Sequence, residues 1–135
     1  MKHFTLEELC HSDTAARQGI DNTPAGGVRT NLALLVAHVL DPLREAYGKP
    51  IRVTSGYRCK ELNEAVDGSP TSDHMQGRAA DIVGTPATRA ENRRLLALVQ
   101  SLGLPFDQLI DEQDGQWVHV SYRSPAENRR QVLKL

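Results

Sequence analysis

Three residues stand where a metal ion could use them. His74 lies in Ser72-Asp73-His74-Met75-Gln76-Gly77-Arg78-Ala79-Ala80-Asp81, a loop that turns at Gly77 and enters the strand-like run Ala79-Ala80-Asp81-Ile82-Val83. A carboxylate in the middle of that run is anomalous. Small and aliphatic neighbours place it on a strand buried on at least one face, where an unpaired charge costs several kcal/mol. An arginine, a capped turn or a metal would each satisfy Asp81. The second histidine tilts the choice: in Trp117-Val118-His119-Val120-Ser121-Tyr122 the valines alternate, so Trp117, His119 and Ser121 share one face. That face suits a site wall better than a core. Two imidazoles and one carboxylate suit Zn²⁺, which takes such ligands at about 2.0–2.2 Å and in catalytic sites keeps a fourth position for water. The chemistry expected of such an ion is polarisation of a carbonyl for amide hydrolysis. His3, His11 and His38 have no polar company at ligand spacing and read as ordinary surface or helix histidines.

Amide hydrolysis also needs a general base beside the attacking water. Asp114-Gly115 separates strand-like runs over 106–112 and 116–122, and Asp-Gly is a strong two-residue hairpin signal because both turn positions take positive φ. With that turn Gln113 pairs with Gln116, Glu112 with Trp117, Asp111 with Val118 and Ile110 with His119. Glu112 then lies diagonally across from His119 on the same face. A three-residue loop would shift the register and present Asp111 instead, and Asp114 is a further carboxylate of this hairpin. Gln116, three residues before His119, cannot titrate. Glu112 is the preferred base, against the plainer reading of a solvated hairpin carboxylate.

These side chains require a scaffold. Thr5 and Glu8 predict a capping box that opens a short helix, and the rest of the chain to residue 29 reads as an irregular arm. Leu32, Leu35, Val36, Val39, Leu40 and Leu43 recur at helical spacing and predict a helix over 31–47, stopped by Gly48 and kinked at Pro42 or broken near Leu40. Short strands are expected over 51–54 and 79–83, with a helical turn over 60–66 between them. Thr85-Pro86 supplies a cap and a first-turn proline for a helix over 87–102, and the charged tail over 123–135 suggests a closing helical turn. The sum is one α+β domain over 1–135, with a small, mostly antiparallel sheet packed against helices on one side.

Composition narrows the partners. The chain has 135 residues, 16 Lys+Arg against 17 Asp+Glu, and 39% hydrophobic residues, enough for one core without a disulfide framework. A net charge of -1 without a basic run argues against nucleic acid and anionic membranes, which both require clustered positive charge. No apolar run approaches the roughly 18 residues of a membrane span, and residues 1–13 lack the apolar stretch of a secretion signal. Synthesis in the cytoplasm without a signal peptide is therefore expected. Cys10 and Cys59 are far apart, without metal-ligand spacing, and read as reduced thiols.

The pattern His74-x-x-Gly77-x-Ala79-x-Asp81 followed by Trp117-Val118-His119-Val120-Ser121 resembles the zinc D-Ala-D-Ala carboxypeptidases and related peptidoglycan peptidases, whose fold is shared with the hedgehog signalling domain. Phe4-Thr5-Leu6-Glu7-Glu8-Leu9, Thr54-Ser55-Gly56-Tyr57-Arg58 and Phe106-Asp107-Gln108-Leu109-Ile110 extend the likeness, in particular to the short branch common in phages and prophages. The resemblance implies His74, Asp81 and His119 as zinc ligands, Arg58 as the residue that places a substrate carboxylate or carbonyl, and Ser72 as a hydrogen-bonding partner of substrate. It implies a monomeric peptidase acting on the peptide part of the bacterial cell wall, with a phage endolysin as the expected setting. The alternative is a metal-containing module that binds wall peptides or a protein partner without cutting them. Gln116 stands where several branches of the family carry an acid, so the base rests on the hairpin register.

Overall fold

The computed structural model describes residues 1–135. Thr5 opens α1 (Leu6–Cys10) with the expected capping box: its hydroxyl accepts from Glu8 N at 3.1 Å, and Glu8 Oε2 accepts from Thr5 N at 2.9 Å. The arm that follows is not irregular throughout. Ser12 accepts from Ala15 N and starts α2 (Asp13–Gln18), a helix with one buried residue, Ala15, and hence no apolar stripe to betray it.

The long helical segment begins at Gly26 rather than Asn31, because most of its first turn faces solvent and carries no apolar signal. It runs through α3 (Gly26–Leu35) and a π-helical turn (Val36–Leu40) into α4 (Asp41–Tyr47) without a break. Pro42 lacks an N–H and its ring crowds the carbonyl four residues earlier. The wider turn, in which Asp41 N donates to Val36 O, makes room for it.

Five strands form one sheet in the order β1-β2-β4-β3-β5: β1 (Arg52–Ser55), β2 (Ala79–Val83), β3 (Gln108–Glu112), β4 (Trp117–Ser121) and β5 (Gln131–Lys134). All neighbours are antiparallel except β3 and β5. The tail thus ends in a strand and not in a helical turn: the backbone groups of β3 stand at an otherwise open edge, and 131–135 pair with them. Between the strands lie α5 (Lys60–Ala65) and α6 (Arg89–Ser101). The cap of α6 is Thr88, not Thr85, whose hydroxyl donates to Pro50 O and whose N–H donates to Tyr47 Oη.

The β3–β4 turn is wider than a two-residue one. Gln113, Asp114 and Gly115 all have positive φ, and Gln116 N donates to Glu112 O at 3.0 Å. A four-residue loop has the same parity as a two-residue one, so the pairing is the expected one: Glu112 opposite Trp117, Asp111 opposite Val118, Ile110 opposite His119. Asn92 of α6 holds this turn, its Nδ2 donating to Gly115 O and Gln116 O while its Oδ1 accepts from Gly84 N. Leu35, Val39, Leu43, Leu95 and Val99 of the helical layer share one core with Ala80, Ile82, Leu109, Val118 and Val120 of the sheet. Asp81 and His119 alternate out of that core onto the opposite face.

Candidate metal centre

Asp81 on β2 and His119 on β4 are direct cross-strand partners. His74 joins them from the 3-10 turn Asp73–Gln76, which Ser72 caps by accepting from His74 N at 3.1 Å and which ends at Gly77 in the left-handed region. His74 Nε2 lies 3.3 Å and His119 Nδ1 lies 3.1 Å from the same oxygen, Asp81 Oδ1. The three donor atoms fall within 4.8 Å of one another. Two ligands of a tetrahedral ion with bonds of about 2.0–2.1 Å stand about 3.3–3.4 Å apart, so the two spacings to Asp81 Oδ1 fit one shared ion.

The protonation pattern fits as well. The Nδ1 of His74 lies 2.7 Å from Gly56 O, and a carbonyl only accepts, so Nδ1 carries the proton and Nε2 keeps its lone pair. Gly56 is a glycine for steric reasons: a Cβ there would sit 2.1 Å from Leu9 O. Burial alone would raise the pKa of Asp81, but contact with His119, and with His74 when that ring also carries a proton on Nε2, outweighs it and holds the carboxyl below the usual range.

A groove of about 1340 Å³ runs over this centre. It contains Arg58, Ser72 and Glu112 as well as the three donors, so all six residues singled out from the sequence share one surface. Glu112 is half-buried one step along the sheet from His119. Its pKa is raised, chiefly by desolvation and further by the negative charges of Asp81 and Asp111, with His119 and His74 opposing. Asp111 alternates to the other face and meets Arg93, while Asp114 pairs with Arg89 and Arg93 at the turn. Neither lines the groove. His38 stacks on Tyr122, and His3 and His11 sit beside Glu45 and Asp13, although exposed His11 borders the groove's outer end.

The peptidase M15 family pattern matches residues 2–121, nearly the whole of this arrangement. The chain belongs to the peptidase M15 family. It is also 39% identical over 83 residues to the zinc D-Ala-D-Ala carboxypeptidase of Streptomyces albus G, an alignment that covers 59% of this chain and 31% of that relative. The match therefore spans less than a third of the relative's length.

Around this M15 centre the structure adds contacts that the motifs did not show. Asn22, in the arm, donates from Nδ2 to Cys10 O and Tyr57 O at 2.9 Å each and accepts from Cys59 N at 2.8 Å, so it clamps α1 to the loop that carries Gly56 and Arg58. Asp107 is fully buried and accepts from Arg129 N, Nε and Nη2 at 3.0, 2.9 and 2.8 Å. Arg123 bridges Asp107 to Asp73, the residue before His74. Both arginines lie beyond the matched segment. The Asn22 clamp joins residues far apart in sequence and left no local signal. An aspartate at the start of a strand-like run was the only hint of the Asp107 network.

Replacing Asp107 by Asn should cost about 2 kcal/mol at neutral pH, the range for hydrogen bonds to charged groups. The Arg129 hydrogen bonds depress the Asp107 pKa in the fold. Its contribution is therefore complete above the unfolded value of about 4 and disappears as pH falls through the folded one. Urea unfolding should show the two proteins converging at acid pH; an equal gap at pH 7 and pH 2.5 would contradict this assignment.

Proposed function

We propose that this chain is a zinc peptidase that hydrolyses an amide bond in the peptide part of bacterial peptidoglycan. The observation that carries the reading is the convergence of His74, Asp81 and His119 on one point of a groove, with the Glu112 carboxylate next along the sheet. Family membership and the relative's printed activity support it.

Zn²⁺, when bound by these three side chains, supplies Lewis acidity at neutral pH. Glu112 acts as general base: its carboxylate lies in the same groove beside the three donors, where it takes a proton from the attacking water and returns it to the leaving amine. The Arg58 guanidinium, desolvated and without an ion-pair partner in the protein, receives a carboxylate or carbonyl of the substrate. Ser72 accepts the His74 N–H with one lone pair and keeps its own O–H free for a substrate carbonyl. Trp117 forms part of the groove wall. The groove exceeds the about 300–1,000 Å³ of a small-molecule pocket and has room for a stem peptide.

Stripping the metal with a chelator should abolish release of fragments from purified peptidoglycan, and added zinc should restore it. Mass spectrometry of the fragments identifies the bond: free D-alanine marks a carboxypeptidase, longer peptides an endopeptidase. Full activity in metal-free protein would refute the proposal, and a metal-loaded protein that binds wall peptides without releasing any fragment would make it a binding module.

A further inference from the structure

Arg58 has an unusual setting. It is half-buried in the groove wall, its Nε is sealed from solvent without a hydrogen-bond acceptor, and burial lowers its pKa while Asp81 opposes. Its backbone is fixed, since Arg58 N donates to His74 O at 3.1 Å. Its guanidinium meets no carboxylate of the protein within ion-pair distance. The amide of Asn63 shares the corner at Gly68 with it.

Asn63 projects from α5 and is 2% exposed. Its Nδ2 donates to Ser69 O at 2.9 Å, which fixes the amide plane, and its backbone carbonyl accepts from Gly68 N at 2.8 Å. Its Oδ1 is buried and accepts nothing. Gly68 closes this corner: a Cβ there would stand 2.0 Å from Asn63 Oδ1 and 2.7 Å from Arg58 Nη1, so both atoms crowd the same point and only a residue without a side chain leaves it open. A buried acceptor without a donor thus shares this corner with a half-buried guanidinium that has N–H groups to spare, and no hydrogen bond of the protein yet joins the two.

We infer that Asn63 is a positioning residue whose Oδ1 takes the Nη1 end of Arg58, with Gly68 keeping the corner clear, so that the remaining fork of the guanidinium is aimed at a substrate carboxylate. The inference rests on the reading of Arg58 given above and deepens it. A neutral amide is the suitable partner. It orients the guanidinium and leaves its charge uncompensated for the ligand, whereas a carboxylate at that place would compete with the substrate.

The test uses the full zinc-loaded chain and the stem peptide that it cleaves, in two forms that differ only in a carboxylate or a primary amide on the residue after the scissile bond. The parent should prefer the carboxylate form by about tenfold or more in kcat/KM. Asn63→Asp, nearly isosteric, should bring the two forms to within about twofold, chiefly by raising KM for the acid, with zinc content unchanged. Gly68→Ala should do the same by displacing the guanidinium. Arg58→Ala separates the two levels of the argument. If it leaves the preference intact, the role given to Arg58 fails and the inference falls with it. If Arg58→Ala removes the preference while Asn63→Asp and Gly68→Ala retain it in folded protein, the inference alone is overturned. Should Gly68→Ala fail to fold, the Asn63→Asp preference decides.

Discussion

Asp81→Asn is expected to lose zinc and cleavage together. The substitution is isosteric on a strand whose backbone pairs with β1 and β4, so the sheet survives, but the carboxylate between the two imidazoles is gone. Loss of an outer-shell partner lowers metal affinity by about 10–100-fold, and loss of a ligand should exceed that. The apo fold itself should change little, because the amide oxygen can still accept from the histidine at 3.1 Å. Zinc content after gel filtration, measured beside fragment release from peptidoglycan, checks this. A variant that retains one equivalent of zinc and cleaves normally would remove Asp81 from the centre.

Glu112→Gln should separate chemistry from assembly. The amide keeps the shape of the side chain and cannot accept a proton, so kcat should fall by about 10²–10⁴-fold. Zinc content and KM should remain close to the parent's, since Glu112 is outside the three-residue donor set. Activity like the parent's would show that another group takes the proton; Asp111 and Asp114 are poor substitutes, because both are held by arginines away from the groove.

The two variants probe features of different legibility. The His74 and Asp81 segment could be read directly, because a loop histidine followed by a carboxylate inside an aliphatic strand leaves few physical explanations. The register of Glu112 could be placed as well, through parity: a turn of two or four residues presents the same faces, so a wrong turn length still left the same side chain beside His119. The elements that escaped are those without a periodic apolar pattern. α2 buries one alanine, the first turn of α3 faces solvent, and β5 is mostly exposed and exists through its pairing with β3.

By itself, then, the order of residues determined which side chains could meet at a metal and on which face of which strand they lie, because side-chain alternation is a property of the extended backbone regardless of surroundings. The folded chain alone decided how those side chains are held. The Gly56 carbonyl that sets the His74 tautomer, the Asn22 clamp and the Asp107 network all join atoms from separate elements. Such contacts arise where one element packs on another, and no local pattern of hydrophobicity or turn chemistry encodes that distance.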